Sequence, residues 1–566
     1  MGEPITSVAI TSVSVSFDVH ATMRDGVQLA ADVYTPASGK GPWPVLMMRT
    51  PYGKNTYTEN AWSGFDPVTA ARAGFIVVIQ DTRGRGPVTT GGAPLTDDAH
   101  DGADAIDWAA KLPGSNGRVG MFGGSYSGHT QWQAALSGAP ALGAITPLMT
   151  WADPFDGVYA RGGATELGLA LPWTLLTGAD DVYRRYAGTG SEGDRLEAIF
   201  DVVDRLGADG FWRGRAGTVT MLQDHDVREL GSLRVALHGA DEVERADLSG
   251  RQSAAQIPTF HTGGWFDIFL QGTLDNHAAM VAAGLPARLI VGPWSHTSFA
   301  DAVGELTFGI RAGREMPSVH PAGAWIDSQL SWLRQHLDSG AGEPDLSDDP
   351  PVRVFVMGRN EWRSEPQWPP ADARDVAWYL HGAGALSPRS PEADVTGLTY
   401  TYDLSDPVPT VGGNTFITSE FPAGPLDQRG IESRSDVVTF TSEVLDVDLE
   451  IGGRVQAYPH AAGSALTTDW VVRLCDVHPD GRSFNVCDGV LRVRGNSAPG
   501  PHHIGLWSTS MVFVAGHRIR VDIANSSFPR WDRAPAGDAD TRYRVERAEI
   551  SVDRDRPSWI VLPTRT

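Results

Sequence analysis

Ser125 stands in the segment Val119-Gly-Met-Phe-Gly-Gly-Ser-Tyr-Ser-Gly128, where an apolar run passes through a Gly-rich turn into a helical stretch carrying Gln131, Ala134 and Leu136. A nucleophile elbow needs this layout: a strained strand-to-helix turn lifts a hydroxyl above the sheet, and small neighbours let strand and helix pack closely. The form Gly-x-Ser-x-Gly is not strictly met, because position 127 is Ser and the glycine falls at 128. A serine nucleophile also needs a base and an acid to orient it, each just past a strand end, in the chain order Ser, Asp, His. The run Ile257-Pro-Thr-Phe260 leads into His261-Thr-Gly-Gly-Trp-Phe-Asp267, and Arg288-Leu-Ile-Val291 leads into Gly292-Pro-Trp-Ser-His296. These positions predict a triad of Ser125, Asp267 and His296. His296 would take the serine proton, and Asp267 would fix its tautomer and stabilise the imidazolium. His261, in a strand, and His277, in a helix, are expected to be packed or solvated. Asp275 and Asp301 are weaker candidates for the acid, since neither sits directly beyond a strand.

The elements that must hold these groups follow from the hydrophobic pattern. Val45–Met48, Phe75–Ile79 and Val119–Phe122 are short apolar runs, and Pro67–Ala73 and Asp98–Leu112 between them read as helices. Apolar strands alternating with helices predict a parallel sheet covered on both faces. Residues 1–149 and 251–350 are assigned to this α/β-hydrolase core. Residues 150–250 lack convincing strands and are assigned to a helical cap. There Asp194 is expected to cap a helix whose apolar face is Leu196, Ile199, Phe200, Val203 and Leu206. A helix with Ile326, Leu330, Leu333 and Leu337 on one face belongs to the core. From Pro351 the strands Val352–Val356, Asp469–Val477, Ser483–Val493 and His517–Ile523, broken by Gly, Pro and Asp, predict an all-β antiparallel sandwich over 351–566.

A chain of 566 residues exceeds one hydrophobic core, and its formal charge of −23 repels phosphate backbones and anionic membranes, so nucleic acid and membrane are not expected as partners. No window approaches 18 uninterrupted apolar residues. The opening Met1-Gly-Glu-Pro-Ile-Thr-Ser-Val has no basic stretch before an apolar run, so a cytoplasmic protein is the default expectation. Cys475 and Cys487 flank the turn His478-Pro-Asp-Gly481 almost symmetrically and are expected as reduced, packed thiols rather than a pair. No metal or nucleotide signature is present: there is no His-Glu-x-x-His, no paired Cys-x-x-Cys and no phosphate loop. No cofactor is expected.

Arg49-Thr-Pro-Tyr52, Ile79-Gln-Asp-Thr-Arg-Gly84, Met121-Phe-Gly-Gly-Ser-Tyr126, Gly263-Gly-Trp-Phe-Asp267 and Gly292-Pro-Trp-Ser-His296 together resemble the cocaine-esterase group of the X-prolyl dipeptidyl-peptidase-like hydrolases. The likeness continues through Val356-Met-Gly358, Gly424-Pro-Leu-Asp-Gln-Arg429 and the stretch from Asp476 to Asp488. The resemblance implies an α/β-hydrolase core with an inserted helical cap and a C-terminal jelly-roll-like sandwich. It also implies an oxyanion hole made by the backbone N–H of Tyr126 and the phenol of Tyr52, and an acyl pocket of Tyr159, Trp173, Phe269, Phe416 and Ile417. The expected activity is cofactor-independent cleavage of a small-molecule carboxylic ester, with an aromatic acyl group favoured, by a possible homodimer. One alternative keeps the triad but cleaves amides, as an acylase or X-prolyl peptidase; a remoter one is a non-catalytic ligand-binding protein using the sandwich. Related α-amino-acid ester hydrolases carry an acid three residues past the serine, where this chain has Gly128, which favours plain esters.

Overall fold

In the computed structural model, which describes residues 12–55, 66–84, 98–186, 189–190, 192–205, 211, 246–321, 323–338, 350–392, 397–495, 500–534 and 545–565, the apolar runs become neighbouring strands of one ten-stranded sheet. Its strands are β1 (Val13–Thr22), β2 (Gln28–Pro36), β3 (Trp43–Thr50), β4 (Ile76–Asp81), β5 (Ser115–Gly124), β6 (Leu142–Leu148), β7 (Thr259–Phe266), β8 (Ala287–Ser295), β9 (Val352–Val356) and β10 (Glu361–Glu365). The order is β1-β2-β4-β3-β5-β6-β7-β8-β9-β10. The stretch from β4 to β9 is parallel, and antiparallel strands flank it on both sides.

Strand alternation decides what each face buries. Val45, Met47, Ile76 and Val78 join one core cluster with Ile106 and Ala109 of helix α2 (Asp98–Ala109) and Trp132 of α3 (Tyr126–Leu136). Leu46, Met48, Val77 and Ile79 join the opposite cluster, with Ala70 and Ala71 of α1 (Pro67–Arg72) and the far helix at Trp325–Leu337. The sheet is thus buried on both sides, as runs without a polar face require.

The core sheet extends past residue 350. Val352–Val356 pairs parallel with β8 rather than joining the sandwich, and Glu361–Glu365 closes that edge as an antiparallel strand. The expected strands at 257–260 and 288–291 are also longer, reaching Phe266 and Ser295. Their glycines suggest loops but serve close packing instead: a Cβ on Gly264 would lie 2.5 Å from the carbonyl oxygen of Trp294. Pro293 falls where the β7–β8 register breaks, between Gly292 and Ser295, so its missing N–H costs that ladder no bond.

Between β6 and β7 the chain leaves the sheet. A hairpin of two-residue strands, Ala160–Arg161 and Ala164–Thr165, precedes helices α4 (Leu167–Tyr186) and α5 (Glu192–Arg205). Leu167, Leu171, Leu175, Ala179 and Val182 form the buried stripe of α4, and they cluster with Tyr126, Trp151 and Phe269 from the core. The sequence expectation for α5 needs two corrections. Asp194 is the third residue of the helix, not its cap, and Phe200 is 48% exposed while Ile199 is buried and Leu196 and Val203 are partly so. Leu206 lies outside the described residues.

The C-terminal part is all-β: a nine-stranded sheet, which includes Thr467–Val477, Ser483–Arg494 and Arg518–Ala524, and a four-stranded sheet that includes Leu398–Asp403 and Val545–Ser551. One hydrophobic cluster runs from Trp265, Phe266 and Val354 of the core into Trp470, Leu474 and Ile519, so the two parts share buried surface. Cys475 and Cys487 are both buried and unpaired. A bulge sets Cys487 opposite Leu474 and Cys475 opposite Asn485, which turns the two thiols to opposite faces. Among the described residues no helix is long and apolar enough to cross a membrane.

Candidate active site

Ser125, Asp267 and His296 converge at the carboxyl ends of parallel strands β5, β7 and β8. Ser125 sits between β5 and α3 at φ 56°, ψ −123°, a left-handed conformation rare for a non-glycine residue. Its N–H donates to the carbonyls of Leu148 and Met149 and its carbonyl accepts from the Thr150 hydroxyl, so the elbow is tied to the end of β6. Asp267 follows β7 directly and His296 follows β8 directly. His296 Nε2 lies 3.2 Å from Ser125 Oγ, and His296 Nδ1 lies 2.5 Å from Asp267 Oδ2. Asp267 is fully buried and its other oxygen accepts the Phe269 N–H at 2.8 Å. Asn414, from the C-terminal part, donates to the carbonyls of Trp265 and Asp267, and so holds the acid loop in place.

The rival residues are elsewhere. Asp275 pairs with Arg454 on the surface, and the Asp301 backbone carbonyl accepts the Phe308 N–H. His261 is buried against Trp132 and His277, with Thr259 Oγ1 at 3.0 Å, and among the described residues neither His277 ring nitrogen has a hydrogen-bond partner. His129, one turn past the elbow, stacks on Trp151 with ring centroids 4.6 Å apart.

Burial holds these three imidazoles neutral: it pushes His129 down to about 3, His277 down to about 4, and His261 well below the ordinary range. An unfolded histidine titrates near ~6.5, so the unfolded chain takes up protons first as pH falls. The stability that depends on their neutrality is therefore complete above that value and is lost as pH drops towards 4. The expected result is a melting temperature that declines steeply between about pH 6.5 and 4 in calorimetry. His277→Leu should flatten part of the decline; an unchanged slope would mean other groups set it.

Tyr52 is carried by the loop after β3. Lys54 pins that loop, its N–H on Asp81 Oδ1 at 2.6 Å and its buried ammonium on Asp32 at 2.7 Å and Asp18 at 2.9 Å. Trp173 Nε1 of α4 donates to the Tyr52 hydroxyl at 3.3 Å. The Tyr126 phenol points away from the serine, donating to Asp98 at 2.8 Å, while buried Arg49 binds the Asp98 carbonyl and Gln80. As the first residue of α3, Tyr126 has an N–H with no acceptor inside its own helix.

One cavity brings together Tyr52, Ser125, Tyr126, Tyr159, Trp173, Phe269, His296 and Phe416, with further wall from Trp151, Val158, Leu169, Ala170 and Ile268. Phe269 stands edge-on to His296 at 5.2 Å, and Phe416 faces the same ring at 5.1 Å. Ile417 is not among the residues lining this cavity; it is buried against Gly168 of α4. Trp151, which packs 5.1 Å from Phe269, Asn414 and Asp98 are not among the site residues expected from sequence. Trp151 lies two residues past Met149 at the end of β6, and that strand-end position was the one available signal. Gly128 has no room for a side chain: a Cβ there would lie 2.9 Å from Thr150 Cβ and 3.3 Å from the Leu148 carbonyl oxygen.

Comparison with known proteins agrees with this geometry. Residues 25–298 match the model of the X-Pro dipeptidyl-peptidase (S15) family, and residues 345–561 match the X-Pro dipeptidyl-peptidase C-terminal non-catalytic domain. The chain is 36% identical to the cocaine esterase of Rhodococcus sp. (strain MB1 Bresler) over 587 residues, covering 97% of this chain and 98% of that protein. Among solved structures it is similar to an aminopeptidase from the marine sediment archaeon Thaumarchaeota archaeon, with TM-score 0.79, 24% identity and 100% and 99% of the two chains covered. It is equally similar to an α-amino acid ester hydrolase, with TM-score 0.78, 24% identity and 100% and 98% covered.

Proposed function

Because the chain belongs to the cocaine-esterase branch of the S15 family and is a serine carboxylesterase, we propose that it cleaves esters of flat, aromatic acids through an acyl-enzyme on Ser125. In this reading Ser125 attacks the ester carbonyl, His296 takes its proton and returns it to the departing alcohol, and Asp267 stabilises the imidazolium. The Tyr52 phenol and the Tyr126 N–H hold the oxyanion. Water, activated by His296, then releases the acid. The observation that carries the substrate class is the wall of rings beside the hydroxyl: Trp151, Tyr159, Trp173, Phe269 and Phe416. A planar acyl group buries against such a wall and gains ring contacts worth ~0.5–1.5 kcal/mol each.

Benzoyl esters are expected to exceed acetyl esters of the same alcohol in kcat/KM. Phe269→Ala should shrink that gap by about 1–3 kcal/mol. Since the Phe269 ring also props His296, both esters lose rate in that variant, and the ratio between them is the readout. Wild-type preference for acetyl, or an unchanged ratio, would overturn the aromatic pocket. Aminoacyl esters and X-prolyl amides are expected to be poor, because Gly128 leaves no space for a carboxylate to hold an ammonium group. A cytoplasmic homodimer completes the reading. The separated buried thiols suit a reducing compartment, and exposed Leu176, Tyr183 and Phe200 on the two cap helices give a second copy apolar surface to cover.

A further inference from the structure

The ladder between Thr467–Val477 and Arg518–Ala524 pairs Asp476 with Ile519 and Val477 with Arg518, so one step further His478 comes opposite His517. Asp476, two residues before His478, projects from the same face. The register thus brings His517 to Asp476 and His478, which precede it by 41 and 39 residues in sequence. His517 Nδ1 lies 2.9 and 3.0 Å from the two Asp476 oxygens, His478 Nε2 lies 3.4 Å from Asp476 Oδ2, and the imidazole centroids are 4.4 Å apart. One ligand atom from each residue falls within 4.8 Å of the other two.

A simple ion pair needs one histidine. Here a second ring turns its nitrogen to the same carboxylate, an arrangement that two protonated imidazoles would oppose by mutual repulsion. A divalent ion resolves it. Ligand bonds of roughly 2.0–2.2 Å require donor atoms a little over ~3 Å apart, close to the spacing already present. The surrounding charge suits a cation, since the Asp480 and Asp448 carboxylates act on this cluster beside Asp476. The three groups line a cavity of about 220 Å³ whose other walls include Phe266, Phe308, Met357 and Met511. A fourth coordination position would face that space.

We propose that Asp476, His478 and His517 bind a divalent transition-metal ion of the zinc type, with an open position towards the cavity. Two imidazoles with one carboxylate favour zinc, cobalt or nickel over magnesium or calcium, which prefer all-oxygen sites. The site is separate from the ester-cleaving cavity, which shares no lining residue with it.

The test uses the full chain, stripped with chelator and titrated with Zn²⁺ in a calorimeter, and with Co²⁺ followed by its visible absorption. One equivalent is expected to bind, with a cobalt spectrum showing nitrogen coordination. His478→Gln and His517→Gln should each weaken binding by at least ~10–100-fold, the range seen even for outer partners of a metal site. Both variants should keep wild-type ester turnover, which also shows that they fold. Unchanged affinity and stoichiometry in both variants, or no binding by the wild type, would overturn the proposal. Binding kept by both histidine variants but lost in His296→Gln would do the same, because the ion would then sit at His296.

Discussion

Ser125→Ala is expected to lower kcat on an aryl ester by about 10⁶, and His296→Ala by a similar factor, while the double variant loses no more than either alone. The equality follows from the proposed division of labour. Without the serine the base has nothing to deprotonate, and without the base the hydroxyl is a weak nucleophile. The 3.2 Å separation of His296 Nε2 and Ser125 Oγ is loose for a hydrogen bond between these atoms, as is common before substrate enters. Alanine keeps the Cβ of serine in the same backbone conformation, and the elbow's bonds to Leu148, Met149 and Thr150 are all made by backbone atoms of residue 125. The variant should therefore melt like the wild type. An organophosphate should label the wild type once, at Ser125, and leave the variant unmodified. Retention of more than about one per cent of wild-type turnover by Ser125→Ala would sink the triad.

Ser125, Asp267 and His296, the proposed triad, can be picked out in the sequence because each stands at a strand end, where a short apolar run and its Gly-rich exit mark the position, and the structure brings their side chains within reach of one another. What was not legible depended on contacts between distant segments. The glycines of β7 and β8 suggest loops until the neighbouring Trp294 shows why no side chain fits at Gly264. Val352–Val356 has the composition of a sandwich strand, and only its pairing with β8 assigns it to the core sheet. Phe200 and Ile199 are adjacent apolar residues on one helix, and the direction of the core decides which is buried. Ile417 carries the right chemistry for an acyl pocket but is not among the residues that line the cavity, and Asn414, three residues before it, braces the acid loop. No short spacing in the sequence joins His478 to His517, which meet across an antiparallel ladder.

Tyr52→Phe is expected to lower kcat by about 10² to 10³ with little change in KM. The reason is that a tetrahedral intermediate places negative charge on an oxygen that is only weakly polar in the ground state. A donor fixed towards that oxygen acts in the transition state and not in substrate binding. Tyr52 is fixed from both sides. Lys54 and its three aspartates hold the loop, and Trp173 donates its indole N–H to the phenol oxygen. Accepting that bond strengthens the phenol as a donor through its own hydrogen. Phenylalanine fills the same volume and keeps the ring packed in the cap cluster, so a structural role alone would leave kcat nearly intact. Trp173→Phe removes the accepted bond but not the donor, and should therefore cost less than Tyr52→Phe on the same ester. A rise in KM with kcat maintained in Tyr52→Phe would make the phenol a substrate-binding group. Equal losses in the two variants would mean that the indole and phenol act as one positioning unit, leaving the Tyr126 N–H as the donor to the oxyanion.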